Sequence, residues 1–93
     1  MGKAELLRGL DLLESGDWSG AHAIAQADQT ALGSWLHGIV HIVEGDQGNA
    51  QHWYRRANRT FPGMQGSDRE IQALRSTLLA SIIRERDSRT MLA

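Results

Sequence analysis

Apolar residues in this chain recur at intervals of three and four, the spacing that lines them up on one face of a helix. Leu6, Leu7, Leu10 and Leu13 predict a first helix from Ala4 to Ser15, with Gly16 as its stop. Asp17 then caps a second helix, Trp18 to about Gln29, rich in alanine and anchored by Ile24. A third helix is expected over Ala31 to Glu44. Leu32, Leu36, Ile39 and Val43 form its stripe, widened by Trp35 and Ile42 on one side and Val40 on the other. Gly38 inside it costs about 1 kcal/mol against alanine and so marks a close helix contact. Gly45 ends that helix and Asp46 caps a fourth, Gly48 to about Thr60, which buries Ala50, Trp53, Tyr54 and Ala57. Pro62 lacks an amide donor and stops it after Phe61.

The segment Pro62 to Gly66 reads as a linker, with Ser67 or Asp68 capping a fifth helix and Ser67 and Glu70 at capping-box spacing. Ile71, Leu74, Leu78 and Ile82 stripe this helix, supported by Leu79 and Ile83. It is expected to fade after Arg86, leaving residues 87–93 frayed. No period-two pattern competes. The chain reads as one all-α domain over residues 1–93: a hairpin at 4–29, a second at 31–62 and a C-terminal helix at 67–86.

Ninety-three residues suffice for a single modest core. The absence of cysteine excludes disulfides and thiolate metal sites. The N-terminal residues have no long apolar core, so neither a signal peptide nor a membrane span is expected, and a cytoplasmic protein is. A net charge of −1 hides a division. Residues 1–46 set Lys3 and Arg8 against seven carboxylates, whereas residues 47–93 set eight arginines against Asp68, Glu70, Glu85 and Asp87. Such a chain can pair end to end or simply carry two solvated faces of opposite sign, the second being the simpler reading.

The turns repeat. Gly16-Asp17 aligns with Gly45-Asp46, Ala21 with Ala50, and Gly9 with Gly38. On these residues, with Ala50 and Tyr54 in the second copy and Pro62 closing it, the chain resembles the tetratricopeptide repeat family. The family's Trp, Leu and Tyr positions hold Ser34, His37 and His41 in the second copy, and Glu5, Arg8 and Leu12 in the first. The segment His41, Glu44, Gly45, Asp46, Asn49, Ala50, Trp53, Tyr54 is also similar to one carried by small bacterial proteins of unassigned function. The family resemblance implies an array of two antiparallel hairpins with a C-terminal cap, acting as a non-catalytic interaction or assembly module. It implies a concave groove lined by Leu6, Leu10, Leu13, Trp35, Ile39 and Ile42. An apolar groove needs a cover: the fifth helix, which requires no extra molecule, a second copy in a homodimer, or a partner helix.

Two clusters carry possible chemistry. His37, His41 and Glu44 lie on one face of the third helix and could hold zinc or another divalent ion, with His22 or His52 approaching from a neighbouring helix. The simpler reading has His41 filling the family's tyrosine position and bonded to a carboxylate or backbone, with His37 solvated. The metalloprotease pattern is absent, because residue 38 is glycine. Asp46 and Asn49 read as helix-start residues, and no acid–base pair or other catalytic centre is expected. Arg55, Arg56 and Arg59 beside Trp53 and Tyr54 form a basic–aromatic cluster of the kind single-stranded nucleic acid uses. The rings sit at core-facing positions, so solvated or ion-paired arginines are the simpler reading. Trp18 follows the first turn and reads as a lid on the first helix pair. The scattered glycines form no phosphate loop, and no cofactor is expected.

Overall fold

The structure, a computed structural model, describes the backbone of residues 2–92 and the side chains of residues 2–87. Five α-helices and no strand occur among the described residues: α1 (Gly2–Glu14), α2 (Trp18–Gln26), α3 (Ala31–Glu44), α4 (Gln47–Arg56) and α5 (Ser67–Leu92). Their order and type are those the apolar spacing predicts, and the bounds of α3 coincide with the expected ones.

The two hairpin turns share one geometry. In the first, Gly16 N–H donates to Leu13 O and Asp17 N–H to Leu12 O; in the second, Gly45 N–H donates to Ile42 O and Asp46 N–H to His41 O. These paired bonds satisfy carbonyls that the end of a helix would otherwise leave bare. The geometry puts the glycine at φ 94° in one turn and 90° in the other, where a side chain would be strained. The next residue caps the following helix: an Asp17 oxygen accepts from Gly20 N–H, and an Asp46 oxygen from Asn49 N–H.

The far ends of α2, α4 and α5 differ from expectation, and local bonds account for the first two. α2 stops at Gln26 because Asp28 turns to serve the start of α3, accepting from Thr30 N–H at 3.0 Å and Thr30 Oγ1–H at 2.6 Å. Thr30, not a carboxylate, then caps α3 by accepting from Gly33 N–H. α4 ends well before Pro62. Asn58 takes φ 58°, and Arg59 N–H reaches back to Tyr54 O, so the helix closes on asparagine and proline plays no part. At the far end, α5 does not fade after Arg86 but runs to Leu92; residues 1 and 93 lie outside the described residues. Gly66 O accepts from Glu70 N–H, so Ser67 is already inside α5 rather than capping it.

Helix α3 is the hub. It packs against all four other helices, and every residue from Gly33 to Ile42 is buried. The expected stripe was therefore too narrow. Val43, placed on it, is 44% exposed, whereas His37, expected to be solvated, is 3% exposed. Two glycines let the helices close up. A Cβ at Gly38 would lie 2.5 Å from the Tyr54 ring, and one at Gly9 would lie 2.7 Å from a Leu36 methyl. The expected close contact at Gly38 is thus with α4.

Helix α5 runs back across α1 and α3 and buries Ile71, Leu74 and Leu78. The six expected groove residues, Leu6, Leu10, Leu13, Trp35, Ile39 and Ile42, are all buried with it in one core. They offer no open binding surface. The cover is the chain's own C-terminal helix, which gains the burial without the entropic cost of capturing another molecule. Polar contacts fix its position. Glu70 Oε1 accepts from Trp35 Nε1–H at 3.0 Å and from Tyr54 O–H at 2.7 Å, tying α5 to α3 and α4. Arg75 pairs with Asp11 and Glu14 of α1, and Lys3 pairs with Glu85. The acidic first half and arginine-rich second half therefore meet within one chain. As exposed pairs these set register more than stability.

Candidate metal centre

Three of the four histidines converge where α2 meets α3. His37 and His41 are one turn apart on α3 and stack at 5.0 Å between ring centroids. His22 of α2 stands edge-on to both, at 4.7 Å from His37 and 5.3 Å from His41. One ligand nitrogen from each of the three lies within 4.8 Å of the others. The closest approach is His37 Nε2 to His22 Nε2, 3.0 Å. Donors around a tetrahedral zinc ion stand about 3.3 Å apart, given bonds of about 2.0–2.1 Å. One edge of the set is close to ligand spacing, and the other separations stay within 4.8 Å.

The surroundings shape each ring. His37 is deepest, with Trp53 of α4 lying flat on it at 3.8 Å and an interplanar angle of 8°. Its Nδ1 is buried without a hydrogen-bond partner. Burial, followed by the neighbouring His22, His41 and His52, lowers its pKa to about 4. The ring is therefore neutral at pH 7, the form that binds a metal. His41 Nδ1 lies 2.7 Å from Glu44 Oε1. A proton on Nδ1, held by that carboxylate, leaves the Nε2 lone pair for an ion, as in carboxylate–histidine–metal arrangements.

The expected set is thus partly regrouped. His37 and His41 belong together as predicted. His22 supplies the third nitrogen, and Glu44 is left the role of orienting His41. The buried position of His37 was missed because its face of α3 was read as solvent-facing, when α2 and α4 cover it. His22 was one of the two histidines expected to approach from a neighbouring helix, and nothing along the chain favoured it over His52. Asp46 also lies near His41 and Glu44, but its carboxylate serves Asn49 N–H at 3.3 Å and Nδ2–H at 2.7 Å. Those bonds hold its pKa below the usual carboxylate range. His52 is exposed and edge-on to Trp53 at 5.2 Å, outside the triad.

The basic–aromatic cluster does not form a stacking platform. Tyr54 is wholly buried, and Trp53 is covered by His37 with the Arg56 guanidinium 5.1 Å from its centroid. Arg59 lies 3.4 Å from the centroid of Trp35, closing over the core. Arg55 is exposed. Arg56 and Arg59 thus lie over aromatic rings that a base would have to reach. Trp18, the expected lid, is 42% exposed.

Comparison with protein-family models, with curated proteins and with solved structures returned no match. The site must be read from its own geometry. Among the described residues, no helix is long and apolar enough to cross a membrane.

Proposed function

We propose that this protein binds a divalent transition-metal ion, zinc before others, through His22, His37 and His41, with Glu44 holding His41 in its binding tautomer. One observation carries the reading: three imidazole nitrogens within 4.8 Å, two of the rings buried, in a chain without cysteine. His37 turns Nε2, and not its unpartnered Nδ1, towards His22 Nε2 at 3.0 Å, so Nε2 is the nitrogen it would offer to an ion. Imidazole donors favour zinc, nickel and copper over magnesium and calcium, which prefer oxygen. The ion would join α2 to α3 and so clamp the two hairpins.

Calorimetric titration with zinc, followed by metal analysis of the dialysed protein, tests this. One equivalent of bound zinc, lost in both His22→Ala and His41→Ala while helical content is kept, is the expected result. Binding that survives these substitutions, or no binding, sinks it.

A second reading keeps the assembly role that the repeat resemblance implied, moved from the filled groove to the outer face of α5. Leu79 and Ile83, one turn apart there, are 45% and 56% exposed and would meet the same residues of a second copy. A solution mass of two chains that Ile83→Glu halves would support it; a wild-type monomer would remove it.

A further inference from the structure

We infer that the ion at His22, His37 and His41 keeps an open coordination position, and that a small anion occupies it in exchange with water. The inference rests on the metal reading and concerns what the bound ion can do. A closed tetrahedral site needs four protein donors, whereas a site that takes ligands presents three. The side chains nearest the triad are already engaged. Glu44 Oε1 is held by His41 Nδ1 at 2.7 Å, and both Asp46 oxygens serve Asn49. His52 stands off on α4, edge-on to Trp53. Among the described residues, three nitrogens converge and no further histidine or carboxylate joins them within the same distance.

The burial of the three rings gives the open position a direction. His37 is 3% exposed and walled by Trp53; His41 is 8% exposed, and His22 is half-buried at the surface of α2. The protein thus closes the His37 side and leaves the His22 side to solvent. Three neutral imidazoles leave the full double charge on the ion, and Glu44 offsets only part of it. An anionic ligand is therefore favoured over a neutral one. Water bound in that position would be acidified towards a pKa of about 7, so hydroxide belongs to the same ligand class. The ligand class is a small monodentate anion: hydroxide, a carboxylate or azide.

Cobalt(II), a coloured substitute for zinc, tests the metal reading and this inference separately. The intact protein would be loaded with one equivalent and its visible spectrum followed, first alone, then during titration with sodium azide and with sodium acetate. The expected result is an intense tetrahedral band that shifts and saturates as azide is added, with no such band in His22→Ala. His22 is the least buried of the three, so that variant is the one expected to keep its fold by circular dichroism. A tetrahedral band that neither azide nor acetate moves would mean a closed site, overturning this inference and leaving the metal reading standing. No band at all, with no cobalt retained on desalting, would overturn both.

Discussion

The turn after α1 and the turn after α3 are nearly the same object in backbone and different objects in chemistry. Each has glycine near φ 90°, a capping aspartate and a long reach-back bond, from Asp17 N–H to Leu12 O at 2.8 Å and from Asp46 N–H to His41 O at 2.9 Å. Position by position, Arg8, Leu12, Ser15 and Ile24 of the first copy stand where the second has His37, His41, Glu44 and Trp53. The hairpin geometry therefore asks only for glycine, aspartate and small contact residues. The histidine cluster is an addition to it, completed by His22 from the first hairpin.

The contrast between the turns is tested hardest at their two carbonyl-bearing positions. His41→Ala should lower zinc affinity more than 100-fold, whereas Leu12→Ala should leave it within about twofold; Glu44→Gln should cost about 10–100-fold. Competition with a chromophoric chelator measures all three. Equal losses in Leu12→Ala would mean that fold, not ligation, governs binding. The two contact glycines come next. Gly38→Ala drives a methyl into a rigid tyrosine ring and should cost about 1–3 kcal/mol in urea unfolding. Gly9→Ala meets the movable end of Leu36 and should cost less than about 1 kcal/mol, helped by alanine's helix propensity.

A third test uses Tyr54, whose counterpart is Ala25 and which is the chain's one tyrosine. Burial, then its bond to Glu70, raises the phenol's pKa above its usual value of 10.0. The folded chain holds the proton where the unfolded chain would release it. The contribution is whole below pH 10 and is lost as pH rises beyond it. Unfolding midpoints of the wild type should fall between pH 9.5 and 11 more steeply than those of Tyr54→Phe, to use about that window. At pH 7 the same variant should lose about 1 kcal/mol with its hydrogen bond. The smallest contrast is between the caps: Asp17→Ala and Asp46→Ala should each cost about 1 kcal/mol. A difference well beyond that would show that Asp46 does more than cap.

Much of the fold was legible. Gly16-Asp17 and Gly45-Asp46 announce two helix turns, because few residues accept a positive φ and few begin a helix so well. The ends of α2 and α4 were not, since Asp28 and Asn58 form local side-chain and backbone bonds that outweigh the apolar spacing around them. Of the site, His37 and His41 were visible as a pair one turn apart. That His22 rather than His52 would join them was not visible, because the spacing within one helix carries no information about which face of another helix it meets.

Local chemistry along the chain therefore determined the helices, their order, both hairpin turns and the pairing of two histidines. The tertiary structure alone decided that α5 fills the groove, that Glu70 bonds Trp35 and Tyr54 rather than its own helix start, and that α3 is buried on every side from Gly33 to Ile42. The reason is physical. Turns and helices are set by bonds between residues a few positions apart, whereas burial is set by which faces meet across distant segments. The burial of His37, and with it the convergence of the three histidines, belongs to the second kind.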